Sequence, residues 1–208
     1  MKQVISTLCA LAILAGCASS GTNQVQADLP VDTGTVRAGE GSIVTVKGGE
    51  MPLAGLGEVR VGEPLPAAVL SNAGLQPVNI AGSTGKVRII SVVPSLDTPT
   101  CDRQTHALSE DNGGLDQSVE LITVSMDLPF AQTRFAKEAK ISNVTFLSDY
   151  KEREFGNNNG LIMEPLGLLA RAVIVTDKDN VVRYLQVVPE VSALPDMQAA
   201  MDAARELL

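Results

Sequence analysis

The sequence predicts an α/β fold in which a mixed central sheet is flanked by helices and preceded by a β-hairpin. Three observations carry that expectation. Val87-Arg88-Ile89-Ile90-Ser91-Val92-Val93 is a β-branched run of the length and hydrophobicity expected of a strand buried on both faces. Beyond it, segments with helical periodicity alternate with further β-branched runs. The 208 residues, 45% of them hydrophobic, suffice for one sizeable core, and neither a repeat nor a second domain is evident.

The elements follow in order. Lys2 is a minimal positive region, and Val4 to Leu14 is an uncharged, mostly apolar run. That run is too short for a spanning helix, which needs about 20 apolar residues. It ends in Leu14-Ala15-Gly16-Cys17, which resembles the lipobox of bacterial lipoprotein signal peptides. The resemblance implies cleavage before Cys17 and a lipid on its sulfur, so residues 1–16 are expected to be a signal peptide. The alternative is an ordinary secretory signal that contains a cysteine. Residues 17–42 are rich in Ser, Gly, Thr, Asp, Gln and Pro and are expected to form a lipidated cysteine and flexible tether.

The domain is expected over residues 43–208. Ile43 to Val46 before Gly48-Gly49 suggests a strand entering a hairpin. After the Val87 strand, residues 101–109 have helical character and Val119 to Val124 reads as a strand. Pro129 to Lys140 follows as an amphipathic helix with proline in its first turn, then a short strand over residues 143–147. Residues 149–160 read as a polar loop with one helical turn. Ala172 to Thr176 and Val181 to Val188 flank Asp177-Lys178-Asp179-Asn180, a good hairpin turn. Leu194 to Leu208 is expected to close the chain as a helix.

Charge and cysteine count bound the function. A net charge of -8 and a sequence pI of about 4.7, without a basic stripe, argue against nucleic acid as a partner. The lack of Trp and an aromatic content of 3% argue against base-stacking platforms too. The lipobox reading removes Cys9 with the signal and makes Cys17 a thioether, leaving Cys101 as the one free thiol. A lone thiol in an exported protein invites a reactive role, because exported compartments are oxidising. A buried inert cysteine is the bland alternative. No cofactor is indicated, nor a metal, since Cys101 has no His or Cys at ligand spacing. His106 reads as a helix surface residue.

Pro94-Ser95-Leu96-Asp97-Thr98-Pro99-Thr100-Cys101 follows a strand and opens a helix. A cysteine there meets unpaired backbone N–H groups and the positive end of the helix dipole, both of which favour a thiolate. The Thr98 hydroxyl can reach the sulfur or a substrate oxygen, and Pro94 can cover the site. The segment resembles the Pro-x-x-x-Thr-x-x-Cys signature of the peroxiredoxin superfamily, which implies a thioredoxin-like fold. Ser125 to Phe135 and Leu169 to Val175 resemble segments of the bacterial thiol peroxidase family, the second carrying its active-site arginine, here Arg171.

The resemblance implies that Cys101 is the peroxidatic nucleophile, that Thr98 and Arg171 position and polarise the peroxide, and that Pro94 shields the site. Substrates would be hydrogen peroxide or organic hydroperoxides. Many thiol peroxidases carry a resolving cysteine where this chain has Ala136. A one-cysteine cycle is therefore expected, with an external thiol or thioredoxin-like protein as reductant. The family habit also implies a homodimer through the face near the active site. Lipidation of Cys17 implies the cell envelope, and Ala18 favours the periplasmic face of the outer membrane in a Gram-negative cell. Two alternatives stand beside this reading. One is a non-catalytic exported binding or chaperone-like domain. The other, a thiol–disulfide oxidoreductase, wants Cys-x-x-Cys, but Thr98 and Gln104 occupy the positions three before and three after Cys101.

Overall fold

The computed structural model describes residues 29–208, so the signal segment, Cys17 and the first part of the expected tether, to residue 28, lie outside the described residues. In chain order the elements are β1 (Val31–Asp32), β2 (Ile43–Val46), β3 (Gly49–Ala54), β4 (Val69–Ser71), β5 (Pro77–Asn79) and β6 (Val87–Val92). They continue with α1 (Pro99–Glu110), β7 (Val119–Ser125), α2 (Pro129–Glu138), β8 (Thr145–Ser148), α3 (Glu154–Asn159), β9 (Ile162–Met163) and β10 (Leu168–Leu169). The chain ends with β11 (Ala172–Thr176), β12 (Val182–Val187), β13 (Leu194–Pro195) and α4 (Met197–Arg205).

The expected mixed sheet has seven strands in the order β12-β11-β6-β7-β8-β4-β5. β6, β7 and β8 run parallel, and the outer strands pair antiparallel. β6 lies inside the sheet with all six residues buried, which explains its unbroken β-branched run. Its side chains alternate between two cores. Ile90 and Val92 join Phe155, Leu161 and Ile174 on one side, and Val87 and Ile89 join Leu108, Val173 and Met201 on the other. Among the described residues no helix is long and apolar enough to cross a membrane.

The expected N-terminal hairpin is β2–β3, turned at Lys47 and Gly48, whose φ angles are 50° and 78°. Two successive positive φ values suit the twist of a two-residue hairpin. In the β11–β12 turn, the Asp177 carboxylate accepts from the N–H groups of Asp179 and Val181, both at 2.9 Å.

Three regions differ from expectation. Residues 30–42, expected as tether, lie as a strap on the domain. Val31 pairs in parallel with Leu194, the Gln186 amide donates to the carbonyls of Asp32 and Gly34, and Val36 donates to Val187. These bonds cover the edge of β12; their partners lie about 150 residues away, so local composition gave no sign of them. The C-terminal helix starts at Met197 rather than Leu194, because Leu194 and Pro195 pair with the strap and Asp196 caps the helix by accepting from Ala199 N–H. The hairpin β4–β5 has three residues per strand, too few for a period-2 signal.

Residues 149–160 contain the short helix α3, anchored by Asp149. Its carboxylate accepts from the N–H groups of Phe155 at 3.0 Å and Gly156 at 2.8 Å. Burial pushes this carboxyl up to about 6, against the pull of those two donors. The folded state therefore holds the proton more tightly than the unfolded chain does. The resulting stability is fully present below the usual value of 3.8 and is lost as pH rises through about 6. Between pH 4 and pH 7, wild type should lose about 2 kcal/mol relative to Asp149→Asn, read by urea unfolding at each pH. A difference that does not change with pH would refute this.

Candidate active site

The turn from β6 into α1 builds the site. Pro99 disfavours a helical conformation at Thr98, which is extended (φ -126°, ψ 144°) and serves as the N-cap of α1. Pro99 itself occupies the first helical turn, where a missing N–H costs nothing. Cys101 is the third helical residue, in the turn whose N–H groups lack intrahelical partners. Its side chain is fully buried among Val93, Leu96, Phe135 and Phe146.

Arg171, between β10 and β11, donates through Nη2 to Cys101 Sγ at 3.3 Å. Its Nε donates to the Val191 carbonyl at 2.7 Å and its Nη1 to Gln104 Oε1 at 2.6 Å. The guanidinium is 2% exposed, and among the described residues no carboxylate pairs with it. A buried cation without a counter-ion is costly. Here the sulfur is the group in contact that can carry the opposite charge, so a surface ion pair does not explain this arginine.

Thr98 and Pro94 line the cleft beside Arg171. The Thr98 hydroxyl donates to the Ser95 carbonyl at 3.0 Å. With its proton so engaged, it offers the cleft lone pairs that can accept from a peroxide O–H, and no bond to the sulfur is formed. Pro94 is buried. The cleft encloses about 470 Å³, with Val46, Met163, Leu166 and Leu168 on its apolar side.

Four supporting residues escaped sequence reasoning. Gln104 is buried, and its amide donates to Ser91 Oγ at 2.8 Å while its oxygen holds Arg171. Its one sequence signal is the three-residue spacing from Cys101, which places both on one helix face. Asp127 accepts from Ser95 Oγ and Leu96 N–H, both at 2.7 Å, and so pins the loop that delivers Cys101. Glu190 accepts from Thr45 Oγ1, the N–H groups of Lys47 and Gly48, and Ser192 N–H, tying the β2–β3 turn to the loop whose Val191 carbonyl holds Arg171. Burial raises its carboxyl, but these donors outweigh that and hold it at about 2. Thr100 Oγ1 donates to the carbonyl of Ser192 on the same loop, at 3.2 Å.

His106 is off the site, on the surface of α1 between Glu110 at 2.7 Å and Asp102 at 3.6 Å. Ala136 lies on α2, directly after Phe135, which packs against the Cys101 cluster. No cluster of three or more potential metal-ligating side chains occurs among the described residues. Asp127→Ala is expected to slow peroxide oxidation of Cys101 about ten- to a hundredfold, because a displaced nucleophile loses near-attack geometry. Stopped-flow oxidation checks this, and Asp127→Asn, which keeps one acceptor, should recover part of the loss.

The arrangement offers a buried thiol, a guanidinium on its sulfur and a largely apolar cleft whose lining includes Thr98. The Redoxin family model matches residues 60–201. The thiol peroxidase of Halalkalibacterium halodurans is 44% identical over 165 residues, 79% of this chain and 98% of that protein. That of Clostridium acetobutylicum is 43% identical over 78% of this chain and 97% of its own length. A peroxiredoxin-like protein from Aquifex aeolicus superposes with a TM-score of 0.75 at 38% identity, covering 82% of this chain and 99% of that one. Since the family match runs to residue 201, the surplus of this chain over such relatives lies at its N-terminal end, where the strap is. A relationship this extensive favours an enzyme over a non-catalytic binding domain. The chain therefore belongs to the redoxin family, with a thioredoxin-like peroxiredoxin fold, and is a thiol-dependent peroxidase of the thiol peroxidase group.

Proposed function

We propose that this peroxidase reduces organic hydroperoxides at Cys101 in a one-cysteine cycle. The observation that carries the reading is the uncompensated Arg171 guanidinium 3.3 Å from Cys101 Sγ at a largely apolar cleft. The thiolate attacks the terminal peroxide oxygen, an S–O bond forms and the O–O bond breaks. The departing alkoxide takes a proton and leaves as the alcohol, while the sulfur becomes a sulfenic acid. Negative charge grows on the departing oxygen, and Arg171 stabilises it there more than in the ground state. Thr98 accepts from the peroxide O–H and aligns it, and Pro94 keeps water off the sulfur.

Cys101 is the one cysteine among the described residues, and Ala136 offers no thiol on α2. An external thiol therefore condenses with the sulfenic acid, releasing water and forming a mixed disulfide. A second thiol reduces that disulfide and restores Cys101. Leu128 and Phe130, half or more exposed beside Asp127, supply an apolar face for a homodimer on the active-site side. Lipidation at Cys17 places the enzyme in the cell envelope. The twelve chain steps from Cys17 to Leu29 then reach at most about 40 Å from the bilayer.

The test mixes the reduced full chain in detergent with cumene hydroperoxide under stopped flow and traps products with dimedone. One dimedone adduct per chain at Cys101, with no intramolecular disulfide by mass spectrometry, is the expected result. Oxidation no faster than that of a free thiol would sink the peroxide chemistry. Fast oxidation that yields an intramolecular disulfide would sink the one-cysteine cycle alone.

A further inference from the structure

The cleft is not built from the shared domain alone. Leu29 lines it together with Val46 and Leu168. Leu29 directly precedes the strap, in the N-terminal part of the chain that exceeds the relatives named above. It is half-buried, and its neighbours hold it in place. The Pro30 carbonyl accepts from Leu194 N–H at 2.8 Å, and Val31 and Asp32 pair with Leu194 and Pro195. The strap then continues along β12, with Val36 N–H on the Val187 carbonyl at 3.0 Å and Thr35 Oγ1 accepting from Val187 N–H at 3.1 Å. Leu29 is thus a side chain at a position fixed by backbone pairing.

The geometry points to Leu29 as a specificity-determining residue: the strap lends the peroxide cleft an apolar wall that favours hydroperoxides with a bulky apolar substituent over hydrogen peroxide. The inference rests on the proposed reading of this cleft as the peroxide site. Its physical basis is selective. Hydrogen peroxide carries no apolar body and gains nothing from the wall, whereas an aryl or alkyl group leaves water against Leu29 and its neighbours. Arg171 and Thr98 handle the O–O group common to both substrates, so the wall acts on their ratio.

The test compares second-order rate constants for Cys101 oxidation by cumene hydroperoxide and by hydrogen peroxide in the full chain and in Leu29→Ala. The cumene-to-hydrogen-peroxide ratio is expected to fall about tenfold, within the range that small changes in an apolar pocket produce. Leu29→Met, which keeps an apolar side chain of similar volume, should restore most of the ratio. An unchanged ratio overturns the inference, including the case where both rates fall together, since the strap would then act by placing the site rather than by contacting substrate.

A second readout separates this failure from failure of the peroxidase reading. Binding of cumyl alcohol to the reduced chain is followed by saturation-transfer NMR. If neither peroxide oxidises wild type faster than a free thiol, the peroxidase reading falls. The wall then stands if the alcohol binds and Leu29→Ala weakens it severalfold, and falls if binding is absent or unaffected.

Discussion

Arg171→Met is expected to slow oxidation of Cys101 by cumene hydroperoxide by about two to three orders of magnitude. The guanidinium makes three contacts, to Cys101 Sγ, Gln104 Oε1 and the Val191 carbonyl, and methionine fills similar space without any of them. The size of the effect identifies its origin. A free thiol is already a few per cent thiolate at neutral pH, so ionisation alone accounts for about ten- to thirtyfold in rate. Alkylation by iodoacetamide, which needs a thiolate but no peroxide alignment, should therefore fall by no more than that. A peroxide defect equal to the alkylation defect would mean that Arg171 acts on the thiolate population and not on the departing oxygen. Lysine at this position should fail as well, because its ammonium cannot span the three acceptors as a planar fork does.

Arg88→Met should destabilise the protein by about 3–5 kcal/mol while leaving the oxidation rate of folded protein unaltered. Arg88 is 2% exposed at the start of β6, the end of that strand away from Cys101. Its Nη1 donates to the Ile80 carbonyl at 2.6 Å, Nε to Thr176 Oγ1 at 3.3 Å, and Nη2 to Asn180 Oδ1. One side chain thus joins β6, β11, the turn before β12 and the segment after β5. Removing it leaves buried acceptors without donors, and each such orphan costs about 1–3 kcal/mol. Urea unfolding of the reduced protein would show a midpoint lowered by about 1–2 M at unchanged slope. An intact midpoint would show that water replaces the guanidinium and that this end of the sheet is less dry than it appears. Paired with Arg171→Met, the variant separates two buried arginines that sequence composition does not distinguish.

Legibility followed the range of the interactions. β6, β7, β11 and β12 were readable because strands buried in a central sheet are long β-branched runs bounded by turn residues. α2 announced itself through proline in the first turn and an amphipathic pattern, and α1 through the helical character of residues 101–109. Pro94, Thr98 and Cys101 were readable for the same reason, since a single strand-to-helix turn carries all three. Arg171 was nameable from its surrounding segment, but the lack of a carboxylate partner for it among the described residues was not. Gln104 lies on the expected helix face, yet nothing local separates it from a solvated glutamine.

By itself the sequence determined the class of fold and the strand-to-helix turn that presents Cys101. Each depends on patterns within about ten residues, where side-chain period and turn chemistry act directly on the backbone. The tertiary structure alone decided that Asp127 pins the loop across 31 residues. It alone laid residues 30–42 on the domain and brought Leu29 to the cleft. Those outcomes depend on backbone groups and small polar side chains meeting across 30 to 150 residues of chain. Pairing at that distance is set by the packing of the whole sheet and leaves no periodic mark on the residues that take part.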